Sequence, residues 1–112
     1  MKEEEMSVIM TLRASGDPEE LERRAAANPE GMQAIVNSTK EHGLIAHRFY
    51  GAPGQILVID EWPDPESFQR FFAAMQSEIE PMMAEVGVTA EPEVIFWRAL
   101  DTGDAVGWGA ED

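Results

Sequence analysis

Leu44-Ile45-Ala46-His47-Arg48-Phe49-Tyr50 and Gln55-Ile56-Leu57-Val58-Ile59-Asp60-Glu61-Trp62 flank the loop Gly51-Ala52-Pro53-Gly54. Two runs rich in β-favouring residues around a short Gly/Pro loop predict a hairpin. Successive strand residues point to opposite sides, so the pairing decides which residues share a face. With Tyr50 opposite Gln55, one face carries Ile45, His47, Phe49, Ile56, Val58, Asp60 and Trp62. The other carries Leu44, Ala46, Arg48, Tyr50, Leu57, Ile59 and Glu61. Both faces are largely apolar, whereas a half-solvated antiparallel sheet keeps one face polar.

Downstream, Pro63-Asp64-Pro65 ends the second strand and starts a helix, with Asp64 as cap and Pro65 at the first helical position. Phe68, Phe71, Phe72, Met75, Ile79, Met82, Met83 and Val86 recur at steps of three and four, the clearest helical stripe in the chain. Pro81 predicts a kink or break near Ser77–Glu80, and Gly87 closes the helix. Residues 93–100 read as a final strand. Upstream, residues 6–13 read as the first strand. Asp17-Pro18 and Asn28-Pro29 repeat a cap-then-proline signal, so the helix between the strands breaks or restarts. Met32, Ile35, Val36 and Thr39 form the inward side of its second piece, which Gly43 terminates.

The order β-α-β-β-α-β predicts an α+β, ferredoxin-like fold: a four-stranded antiparallel sheet with the helices on one face. The helices cover one face of the hairpin. Ala46, Tyr50, Leu57 and Ile59 on the other need a second copy of the chain, so a homodimer with sheet packed on sheet is expected. Residues 1–5 are a charged leader, 6–100 a single domain and 101–112 an acidic tail, in which Trp108 is a possible anchor over the partner subunit.

Composition narrows the function classes. The chain has 112 residues, 22 acidic against 8 basic, and a formal net charge of −14. Nucleic acid and anionic membranes are excluded as partners, because both need clustered Lys and Arg. With no cysteine, disulfides, thiolate catalysis and Cys-ligated metal centres drop out together. No apolar run approaches the ~20 residues of a membrane span, and Met1-Lys2-Glu3-Glu4-Glu5 lacks a signal peptide's apolar stretch; a cytoplasmic location is expected. His42 and His47 do not share a helix face, so no metal site is expected.

His47 is the sharpest catalytic candidate. It sits mid-strand among apolar residues, with Asp60 diagonally across the hairpin on the same face. A carboxylate holding one imidazole nitrogen leaves the other to take a proton from an acidic substrate; a purely structural His–Asp pair is the alternative. Phe49, Trp62, Phe68, Phe72 and Met75 are candidates to line an apolar ligand pocket, or else are core. Arg48 is a candidate to anchor an anionic oxygen or to pair with Glu61, and Arg13 and Arg98 are expected to neighbour each other if the first and last strands are adjacent.

The element order and the stretch Ile56-Leu57-Val58-Ile59-Asp60-Glu61-Trp62-Pro63-Asp64-Pro65-Glu66-Ser67-Phe68 resemble the dimeric α+β barrel superfamily, and within it the antibiotic biosynthesis monooxygenase-like proteins. That resemblance implies two sheets packed as a dimeric barrel and a small apolar or aromatic ligand. It also implies cofactor-independent oxygenation of an aromatic, polyketide-like or quinol molecule, with isomerisation, cyclisation and plain ligand binding as other uses of the scaffold. It does not extend to the haem-degrading members, whose strand Asn and helical His this chain lacks.

Overall fold

The computed structural model describes residues 7–107; the charged leader and Trp108 lie outside them. Seven elements follow in order: β1 (Val8–Ser15), α1 (Pro18–Ala27), α2 (Pro29–Glu41), β2 (Ala46–Ala52), β3 (Gln55–Trp62), α3 (Pro65–Glu85) and β4 (Glu93–Trp97). The strands form one antiparallel sheet in the order β2-β3-β1-β4, the ferredoxin-like arrangement expected from the sequence. The first crossover holds two helices. Asn28 ends α1 and also caps α2, its Oδ1 accepting from the Gly31 N–H at 3.1 Å. Asp17 caps α1 through the Glu19 and Glu20 N–H groups at 3.0 and 3.2 Å, and Asp64 caps α3 through the Ser67 N–H at 2.8 Å.

The hairpin register differs from the expected one by two residues. Ala52 pairs with Gln55 and Tyr50 with Leu57, because Pro53-Gly54 alone makes the turn. Proline favours the first turn position, and Gly54 adopts the positive φ of +71° required at the second. A slip of two preserves the alternation of side chains, so the facial assignment stands. What changes is the partner: His47 stands directly opposite Asp60, not diagonal to it.

Three other expectations are adjusted. Of the kink or break expected near Pro81, the break does not occur, since α3 is one helix from Pro65 to Glu85; Ser77, whose carbonyl loses its donor, is exposed to water, and the apolar stripe continues through Met82 and Met83 to hold the last turn. The first strand starts at Val8 and extends to Ser15, where Gln55 on β3 still offers a partner. The last strand ends at Trp97 because its pairing with β1 stops at Ile9.

Burial follows the alternation. Met10, Leu12 and Ala14 of β1 and Ile56, Val58 and Trp62 of β3 are buried beneath Phe68, Phe71 and Ile79 of α3. The opposite face carries Ile9, Thr11, Leu57 and Ile59 half-buried, with Tyr50, Ile95 and Trp97 exposed. The Trp97 Nε1–H donates to Thr11 Oγ1 at 2.8 Å, which ties this large side chain to β1 on the sheet's open face. Among the described residues no helix is long and apolar enough to cross a membrane.

Candidate functional site

Asp60 is the pivot of the helix-facing side. It is 4% exposed, and its two carboxylate oxygens are divided between two partners. The His47 ring places Nδ1 2.7 Å from Oδ1, while the Trp62 Nε1–H donates to Oδ2 at 3.1 Å. Both contacts follow from strand geometry. His47 and Asp60 are cross-strand partners, and Asp60 and Trp62, two residues apart, share a face. A carboxylate only accepts, so the hydrogen between Asp60 and the imidazole is assigned to Nδ1. Nε2 then carries the lone pair that can receive a proton.

The surroundings hold this arrangement in place. Trp62 is fully buried, its ring 5.8 Å from both Phe68 and Phe71. Phe49 meets the His47 ring edge-on at 5.1 Å. The His47 side chain itself is 28% exposed, since β2 is an edge strand. Its environment is therefore half open while its carboxylate partner is closed off from water.

A cavity of about 110 Å³ lies between the sheet and the helices. His47, Asp60 and Phe49 line it from the hairpin, Met10 and Leu12 from β1, Met32, Ile35 and Thr39 from α2, and Phe68, Phe72 and Met83 from α3. Of the residues singled out in the sequence, the structure thus gathers His47, Asp60, Phe49, Phe68 and Phe72 around one space. Trp62, Met75 and Arg48 do not line it. Trp62 lies in the core as Asp60's second hydrogen-bond donor. Met75 is half-buried against the core cluster. Arg48 has the opposite strand parity and stands opposite Ile59 on the sheet's other face.

The expected arginine pairings are also redrawn. Arg13 binds Glu93 at 2.6 Å, its cross-strand partner on β4, whereas Arg98 follows the opposite end of that strand. Arg48 and Glu61 do not pair; Glu61 instead accepts a hydrogen bond from Ser7. Among the described residues no group of three or more His, Asp or Glu side chains is placed to hold a metal ion.

Sequence reasoning missed two features here. The Trp62–Asp60 bond was open to discovery from the i, i+2 spacing, had the indole N–H been counted as a donor needing a partner. The contribution of α2 is partly visible: Met32, Ile35, Val36 and Thr39 share one helix face, but nothing in their spacing says that this face borders a cavity.

Known structures share this fold. A monooxygenase from the ActVA-Orf6 gene of Streptomyces coelicolor, in complex with nanaomycin D, superposes with a TM-score of 0.64 at 12% identity, over 90% of this chain and 91% of that one. A dimeric ferredoxin-like protein from an uncultured marine organism gives 0.63 at 14% identity, over 93% and 96%. The fold is that of the antibiotic biosynthesis monooxygenase-like proteins. SnoaB, a cofactor-independent oxygenase from Streptomyces nogalater, gives 0.57 at 18% identity, over 89% and 99%. No protein-family model and no curated protein sequence matches the chain.

Proposed function

We propose that the protein is a small, cofactor-independent enzyme of monooxygenase type, acting on an aromatic, polyketide-like or quinol molecule bound between sheet and helices. The observation that carries this reading is one side chain: His47, fixed through Nδ1 by a buried carboxylate, borders an apolar cavity. A base so held takes the proton of a phenolic hydroxyl at Nε2. The resulting anion is electron-rich at its ring carbons and reacts with dioxygen through one of them. One oxygen atom stays on the ring as a quinone carbonyl and the other leaves as water, so dioxygen is the oxidant and no further reductant is required. Oxygenases of the same fold, SnoaB among them, support this assignment.

The acting unit in this reading is a homodimer. The outer face, with Tyr50, Leu57, Ile59, Ile95 and Trp97, is apolar and uncovered in one chain. Packing it against its own copy removes that surface from water, and a stable interface needs about 800 Å² per subunit.

Oxygen-electrode measurements over a panel of phenols, naphthols and hydroquinones test the reading, with the wild type and His47→Ala in parallel. Oxygen uptake that His47→Ala abolishes while the protein stays folded is the expected outcome. Substrate consumption without oxygen uptake reassigns the site to isomerisation or cyclisation. Tight ligand binding without turnover makes the protein a binding module.

A further inference from the structure

The cavity's lining defines what it accepts. Its volume of about 110 Å³ is below the ~150 Å³ of an apolar cavity that takes up benzene. The space therefore suits a single ring and falls short of a two-ring or larger skeleton. No Lys or Arg lines it, and the one charged side chain that does is the carboxylate of Asp60. The two polar lining groups besides His47 are already engaged: Thr39 donates to the Val36 carbonyl, and Asp60 accepts from His47 and Trp62. An anionic substituent would therefore be stripped of water with no cation to meet it and with Asp60 nearby, a large penalty. The aromatic walls are Phe49, Phe68, Phe71 and Phe72, the Phe68 and Phe72 rings stacked with centroids 5.7 Å apart.

Resting on the reading of His47 as the base, we infer that the natural occupant is an uncharged single-ring phenol that carries no carboxylate. It enters as the neutral acid and forms its anion only by giving a proton to His47, so the imidazolium is the sole positive charge the cavity provides. The nearest arginine on the hairpin, Arg48, is on the far side of the sheet and cannot assist.

Equilibrium binding by calorimetry at neutral pH tests this with 4-methylphenol, 4-hydroxybenzoate and 2-naphthol. The expectation is that 4-methylphenol binds, the carboxylated analogue is weaker on the order of a hundredfold, and the two-ring phenol is weaker by about tenfold or more. Phe72→Ala, which widens the wall, should narrow the gap between one and two rings. Equal or tighter binding of the carboxylate, a preference for the two-ring phenol, or no binding of 4-methylphenol each overturns the inference. The same ligand preference, persisting in a folded His47→Ala protein that turns over substrate as fast as wild type, keeps the inference about the cavity and refutes the base.

Discussion

Replacing Asp60 by Asn is the sharpest test of the site's construction, because it keeps the side chain's shape and removes one acceptor. Two N–H groups converge on the carboxylate, at 2.7 Å from His47 and 3.1 Å from Trp62. Asparagine offers one carbonyl oxygen and an NH₂ that faces the second partner as a donor. If the oxygen stays with Trp62, the imidazole must turn over to its other tautomer, with Nδ1 accepting and Nε2 protonated. If it stays with His47, the buried indole N–H loses its acceptor. Leaving a buried donor unsatisfied costs about 1–3 kcal/mol, which for a domain of this size lowers the melting temperature by roughly 5–20 °C. The tautomer change removes the base and should cut turnover by about 10²–10⁴. Trp62→Phe in the same protein deletes the competing donor, so the Asn oxygen is available to His47. The double variant should then show a coupling of about 1 kcal/mol, with part of the activity lost in Asp60→Asn regained. Denaturant unfolding at constant m-value and steady-state turnover read both quantities. An Asp60→Asn protein that keeps both its stability within about 0.5 kcal/mol of wild type and its turnover, or strictly additive single variants, would refute the shared-carboxylate account.

Three further outcomes follow from the fold. Asp64 accepts from the Ser67 backbone N–H, and that bond, more than any other influence, holds its carboxyl below the ordinary value of 3.8. Its contribution is therefore fully present above that value and lost as pH falls through the lower folded-state value; Asp64→Ala should lower the unfolding midpoint at pH 7 and converge with wild type in acid, as followed by circular dichroism. A methyl group added at Gly51 would lie 2.7 Å from Pro18 Cβ, forcing the start of α1 off the hairpin, so Gly51→Ala should destabilise by about 1–3 kcal/mol in urea melts. Ile59→Lys puts a charge at the centre of the sheet's open apolar face, and sedimentation should show a folded monomer in place of a dimer; an unchanged dimer would place the interface elsewhere.

How much of this was legible beforehand depends on the range of the interactions involved. The helix starts at Pro18, Pro29 and Pro65 were readable because capping is local: an Asp or Asn side chain bonds to N–H groups two or three residues on. The facial grouping of His47 with Asp60 and Phe49 was readable because alternation has a period of two. Pro81 does not break α3, since a local proline penalty is outweighed when the apolar stripe on both sides of it packs against the same sheet.

Local pattern was enough for the element order, the ferredoxin-like topology, the apolar excess on the sheet's second face and the placement of most of the 22 carboxylates away from the sheet interior. Tertiary structure alone decided the two-residue shift that sets His47 directly against Asp60, the indole that claims the carboxylate's other oxygen, and the empty volume beside them. Register depends on which turn the chain can close, and a cavity depends on how three elements far apart in sequence fail to fill the space between them. Neither is written in the periodicity of any single segment.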